Sequence, residues 1–281
     1  GASEAVVLAL LQAYPEAAKE KDRGGNLPLH CAVENGASGA VVAALLQAYP
    51  EAAKKKDKDG NLPLHCAVEK GASEAVVLAL LQAYPGAAKK RNEEKMLPLH
   101  CAVSSGASEA VLAALLQAYP EAAKKKDKDG NLPLHCAVEN GASEAVVAAL
   151  LQAYPEAAKE KDGDEKLPLH CAVSSGASEA VLAALLQAYP EAAKKKDKDG
   201  NLPLHCAVEN GASEAVVAAL LQAYPEAATE KDGDEKLPLH CAVSKGAAEA
   251  VALALLQAYP GAAKKRNEEK MLPLHCAVSS G

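Results

Sequence analysis

Residues 57–91 read DKDGNLPLHCAVEKGASEAVVLALLQAYPGAAKKR, and this stretch decides the fold. Asp59-Gly60 is turn chemistry, because glycine tolerates positive φ and aspartate can bond its own backbone. Pro63 suits the first position of a helix, where its missing N–H costs nothing. Leu64, Ala67 and Val68 fall at i, i+3 and i+4, which predicts a short helix from about Pro63 to Lys70 with one apolar stripe. Gly71 ends it. Ser73 is placed to cap a second helix, with Glu74 and Ala75 in its first turn. Val76, Val77, Leu80, Leu81 and Tyr84 recur at three and four residues and give that helix a wide apolar face. Pro85 stops it, and GAAKKR runs on as a loop to the next turn.

The same unit fills the chain. PLHCAV places histidines at His30, His65, His100, His135, His170, His205, His240 and His275, always 35 residues apart. The expected organisation is one array over 1–281, with units 1–35, 36–70, 71–105, 106–140, 141–175, 176–210, 211–245 and 246–280. The composition agrees: 8 His, 8 Cys, 8 Tyr and 16 Pro, with neither Trp nor Phe. A core of Ala, Leu and Val suits layers of one kind stacked on each other. Residues 106–140 and 176–210 are identical, and 141–175 differs from 211–245 only at Lys159 against Thr229 and Ser175 against Lys245. Residues 84–106 and 259–281 are also identical. Such nesting points to amplification in blocks.

A net charge of −7, with Lys and Glu interleaved, gives no electrostatic reason to bind nucleic acid. No run reaches the roughly 18 apolar residues that a membrane span needs. Nucleic acid and membrane are therefore not expected partners. Residues 1–281 contain no secretory-signal pattern and no N-x-Ser/Thr sequon.

The run D-x-D-G-N-L-P-L-H-C-A-V-E-N-G-A-S-E-A-V-V-x-A-L-L resembles the ankyrin repeat, whose signature is D-x-x-G-x-T-P-L-H-x-A-A-x-x-G followed by a Leu-rich helix. The likeness covers the whole chain, and an eightfold P-L-H-x-A is specific where a single copy is not. It implies an all-α, ankyrin-like solenoid of eight stacked helix-turn-helix repeats with hairpin-like loops. Three departures stand out. The unit is 35 residues long, not 33. Leu62 and its equivalents replace the threonine whose hydroxyl caps the first helix, a loss of about 1 kcal/mol per repeat. The turn glycine is present as Gly25, Gly60, Gly130 and Gly200, but Lys95, Glu165, Glu235 and Lys270 stand in the other four repeats. Positive φ is costly for those four, so a different turn type is expected there.

The His-Cys pairs invite a zinc ladder, but geometry argues against it. Layers stack about 8–10 Å apart, whereas zinc ligands lie about 2.0–2.3 Å from the metal. Adjacent His and Cys also point about 100° apart on a helix. No metal, cofactor or catalytic residue is expected. The histidines form a structural ladder, bonding backbone near the hairpin as the resemblance implies, and the cysteines are small buried hydrophobes. Layer spacing also forbids a disulfide ladder, and lone thiols lean toward an intracellular location. Eight equivalent Cys–His pairs offer no unique pocket for a nucleophile, so no enzyme is expected. The tyrosines close the outer core with the hydroxyl at the wet edge. Runs such as Lys54-Lys55-Lys56 read as solvated loop.

Two functions remain. The first is a structural protein, an open-ended array serving as a strut or filament. The alternative is a protein–protein interaction module that binds on its concave face and loop tips. Invariant PLHCAV favours the first, because a repetitive surface suits a repetitive partner, including another copy of itself. The array begins in a second helix and ends in a first helix, so either these residues are a segment of a longer array or Val6, Val7, Leu10 and Leu11 at one end and Leu274, Ala277 and Val278 at the other are expected to stack head to tail. The expected partners are thus self or an unidentified protein.

Overall fold

The computed structural model describes residues 3–279. Tertiary contacts divide the chain between Asn140 and Gly141 into two compact units. Unit 1 carries α1 (Glu4–Ala13), α2 (Pro28–Glu34), α3 (Gly39–Ala48), α4 (Pro63–Glu69), α5 (Glu74–Ala83), α6 (Pro98–Ser104), α7 (Glu109–Ala118) and α8 (Pro133–Glu139). Unit 2 carries α9 (Glu144–Ala153), α10 (Pro168–Ser174), α11 (Glu179–Ala188), α12 (Pro203–Glu209), α13 (Glu214–Ala223), α14 (Pro238–Ser244), α15 (Glu249–Ala258) and α16 (Pro273–Ser279). Among the described residues all regular structure is helical.

Each short helix starts at its proline, after a leucine held extended (φ −79°, ψ 159° at Leu62). The threonine cap is absent, as the sequence predicts, and a buried imidazole satisfies the backbone N–H of the leucine that stands in its place. His65 Nδ1 accepts the N–H of Leu62 at 3.2 Å. The His65 amide in turn donates to Leu62 O at 2.8 Å. The leucine side chain offers no acceptor, so no reciprocal capping box exists. Serine caps α3, α7, α9, α11 and α13: Ser108 Oγ, for example, accepts from the Val111 amide at 3.4 Å and Ser143 Oγ from Val146 at 3.3 Å, whereas Ala248 stands at that position before α15. Ser73 makes no such bond.

The segment after each long helix is not loop throughout. Pro85–Lys89 and its seven equivalents form a 3₁₀ turn. Ala87 and Ala88 of that turn are buried, and a bulkier pair would lift the turn off the layer beneath.

In both units first helices pack on first helices and second on second: α2, α4, α6, α8 and α1, α3, α5, α7 in unit 1, and likewise α10, α12, α14, α16 and α9, α11, α13, α15 in unit 2. The core repeats by layer. Leu62, Leu64, Ala67, Val68, Val77 and Leu80 are at most 1% exposed. Burying each leucine contributes about 1.5–3 kcal/mol, while the alanine lets neighbouring first helices approach closely.

The hairpin tips correct one expectation. Lys95, Glu165, Glu235 and Lys270 do not adopt another turn type. Their φ values are 58°, 59°, 56° and 62°, in the same left-handed region as Gly60 at 74°. The turn is held from outside the residue itself. Asp162 Oδ1 accepts from the amides of Asp164 and Lys166, both at 2.8 Å, closing the loop around Glu165. Neighbouring tips also bond to each other: Lys198 N donates to Asp164 O at 3.3 Å and Gly233 N to Asp199 O at 3.0 Å. A Cβ on Gly233 would stand 2.5 Å from Asp199 O, so glycine is required at that approach.

Candidate binding surface

Within each unit the histidine ladder ties one layer to the hairpin arm of the next. His30, His65 and His100 contact the main-chain oxygens of Lys55, Lys90 and Lys125 in the next layer at 3.1, 3.1 and 2.9 Å. In unit 2, His170, His205 and His240 reach Asn201, Lys236 and Lys265, each at 3.2 Å. A backbone N–H can only donate to Nδ1, so the proton sits on Nε2 and the neutral tautomer is specified. Burial accordingly pushes the pKa values of these six imidazoles down, with His65 at about 4. His135 is also fully buried. His275 is exposed, although its Nδ1 still accepts from the Leu272 amide at 3.1 Å.

The cysteines face the tips. Cys66 Sγ donates toward Asp57 Oδ2 at 3.6 Å and Cys241 Sγ toward Asp232 Oδ2 at 3.7 Å. Burial pushes the thiols of Cys101, Cys136 and Cys206 up to about 12. Burial, with carboxylates added, raises Cys66 and Cys241 further. These thiols hold their protons and are poor nucleophiles.

Sequence reading missed what stands beside two of them. Glu34, Asp57 and Cys66 in unit 1, and Glu209, Asp232 and Cys241 in unit 2, bring one carboxylate, another carboxylate and a thiol within 4.8 Å of one another. The set needs Glu at the end of one first helix and Asp at the start of the next tip. Glu at the end of one first helix followed by Asp at the start of the next tip, as in Glu34 with Asp57 and Glu209 with Asp232, is the signal that marks it, and Glu69, followed by Asn92, lacks it. The unit 1 set opens into a polar cavity of about 360 Å³ lined by Glu34, Asp59, Asn61, Glu69 and Lys70 among others. Asp57 Oδ1 is already committed to the amides of Asp59 and Asn61, so the carboxylate serves the turn first.

The sequence-predicted stacking residues lie on two uncovered faces. Leu10 is 64% exposed, Leu274 70% and Val278 71%. Val6 and Ala277 are exposed, and Val7 and Leu11 are half-buried. Their internal counterparts Val76, Val77, Leu80 and Leu81 are buried on α5, which packs against α4. A cavity of about 620 Å³ beside Val7, Ala37, Val41 and Leu45 adjoins the first of these faces.

The tyrosines end the long helices. Lys89 Nζ lies 5.6 Å from the centre of the Tyr119 ring and Lys194 Nζ 5.9 Å from that of Tyr224, within cation–π range.

This arrangement has known counterparts. A comparison with curated proteins finds no match in sequence. Among solved structures the chain is similar to the ankyrin repeat domain of Bcl-3, described as a unique member of the IkappaB protein family. The TM-score is 0.63 at 23% identity, over 84% of this chain and 100% of that one. The family model for ankyrin repeats (3 copies) matches residues 1–93, 75–158 and 143–230. With stacked helix pairs, buried PLH histidines and linked hairpin tips, the chain belongs to the ankyrin repeat family.

Proposed function

We infer that this protein is a non-enzymatic protein–protein interaction module, holding a partner against the hairpin tips and the adjoining ends of the first helices. The observation that carries this reading is where the layers differ. PLHCAV is invariant, whereas the positions that follow it change from Glu69-Lys70 to Ser104-Ser105 to Glu139-Asn140. Those ends and the tip residues Lys58 and Asp59 share the walls of the polar cavity. Ankyrin repeats commonly serve such binding, and family membership supports the same reading.

A photo-crosslinking residue placed at Asp59 or Lys70 should capture a partner protein from native extract, and one at Gln82 on the far side of α5 should not. Equal capture from all three positions would remove the reading.

A second reading, a strut or filament of stacked copies, is favoured by the uncovered faces at Leu10, Leu274 and Val278. Inside the units the equivalent faces are covered by a neighbouring layer, so another copy would bury these two in the same way. Sedimentation of the 281-residue chain at rising concentration decides it: growth supports stacking, and a constant monomer mass dismisses it.

A further inference from the structure

Near-identical repeats make the few variable positions informative, and one row of them differs sharply between the units. The residue that closes each 3₁₀ turn is Glu20, Lys55, Lys90 and Lys125 in unit 1, but Glu160, Lys195, Glu230 and Lys265 in unit 2. Lys55, Lys90 and Lys125 share one backbone conformation (φ −86° to −94°, ψ 130° to 141°). Each has its carbonyl turned inward to the histidine of the layer before. Their side chains therefore leave three consecutive layers in the same direction.

The neighbouring residues show how close those layers are. Lys56 Nζ donates to Arg91 O at 2.9 Å, and Arg91 Nη1 to Lys126 O at 2.6 Å. These bonds go to neutral oxygens and not to carboxylates. Glu51 pairs with Lys54 and Glu121 with Lys124, and Asp57 and Asp127 hold their own turn amides, so these four acids make no ion pair with the row. In repeat 3, Gly86 stands where Glu51 and Glu121 stand, so Lys89 lacks that ion pair and lies over Tyr119. Unit 2 differs, because Glu230 enters the row and pairs with Lys196 at 3.1 Å.

We propose that Lys55, Lys90 and Lys125, with Lys56 and Arg91 beside them, form a docking row for an acidic, proline-rich segment in the polyproline II conformation. The match is one of period. Packed layers repeat at about 8–10 Å. A polyproline II chain advances about 3.1 Å per residue with three residues per turn, so every third side chain returns to one face after about 9.3 Å. Acidic groups at that spacing meet one lysine per layer. An extended β-strand alternates faces every residue and cannot present every third side chain to one surface. The row lies on the arm before each tip and uses neither Glu69, Lys70 nor Asp59, so it can fail independently of partner binding at the tips and first-helix ends.

The test uses the full chain and a fluorescein-labelled peptide of four Glu-Pro-Pro triplets, read by anisotropy at low and high salt. Binding should weaken about tenfold in K55Q/K90Q/K125Q and be unaffected by K195Q. In a second arm, E160K/E230K should add a second binding equivalent in unit 2, which keeps the test open if the unit 1 variant unfolds. A peptide of the same composition with its four glutamates consecutive should bind at least several-fold more weakly. Equal affinity for the two peptides, indifference to K55Q/K90Q/K125Q in a folded chain, or tighter binding of an oligothymidylate than of the spaced peptide would each overturn the proposal.

Discussion

The imidazole of His65 lies 3.1 Å from the carbonyl oxygen of Lys90, one layer further on, and this bond joins a first helix to the hairpin of the next repeat. The contact recurs at His30 with Lys55 and at His240 with Lys265. It requires neutral imidazole, because protonated Nδ1 would face the Leu62 N–H donor-to-donor.

Acid should therefore loosen the array before its carboxylates titrate. With folded pKa values below the unfolded value of 6.5, His30, His65, His100, His170, His205 and His240 bind their protons more readily when unfolded. The stability each contributes is present above about pH 6.5 and is lost as pH falls toward the folded value, about 4 for His65. For His65 alone this amounts to about 3 kcal/mol. Thermal unfolding followed by circular dichroism should show a falling midpoint from pH 7 to pH 4. A flat profile over that range would contradict the ladder.

Lys95→Gly should stabilise unit 1 by about 1 kcal/mol, since a left-handed side-chain-bearing residue is relieved of its Cβ clash. The reverse change, Gly60→Lys, should cost more than that gain, because the new Cβ would stand 2.9 Å from Glu93 Cγ and 3.1 Å from its amide nitrogen. Denaturant midpoints measure both, and a destabilising Lys95→Gly would show that the lysine holds the turn by contacts of its own.

Two identical segments sit in different surroundings, and one is mismatched. Asn92 Nδ2 donates to Asn61 Oδ1 at 3.0 Å. At the equivalent place in repeat 8, Asn267 is 4% exposed and its Nδ2 has no acceptor among the described residues. Lys236 occupies the position of Asn61 there and cannot accept. Lys236→Asn should stabilise unit 2 by about 1–2 kcal/mol, and Asn61→Lys should destabilise unit 1 by a similar amount. Hydrogen exchange of the Met271 and Met96 amides reads each effect locally. No change in either would mean that water serves both sites equally well.

Thiol reactivity should rank with exposure. Cys31, the only half-buried cysteine of the eight, should react first with an aromatic disulfide reagent at pH 8. Cys101, Cys136 and Cys206, pushed up to about 12 by burial, should react only as fast as the layers open. Uniform fast labelling of all eight in the folded chain would show that the thiols are not sealed in the layers.

Period, helix pairs and family were legible in residues 57–91, because local signals there agree. Proline starts the first helix, glycine ends it, and apolar residues at three and four mark both faces. Buried alanines in the 3₁₀ turn and the left-handed lysines and glutamates were not legible. At Glu165, intrinsic preference opposes positive φ, yet the Asp162 carboxylate bonds the amides on both sides and overrides it. The clusters at Cys66 and Cys241 were missed for a related reason, since their members come from two different repeats.

By itself, then, the sequence determined where the paired α-helices lie, how often the unit recurs and which side of each α-helix is apolar, since these follow from backbone preferences and short-range periodicity. Tertiary structure alone decided which polar atoms meet across layers. Identical residues, Asn92 and Asn267, end with opposite fates because the partner comes from the preceding repeat, some thirty residues away, and no local rule counts that far.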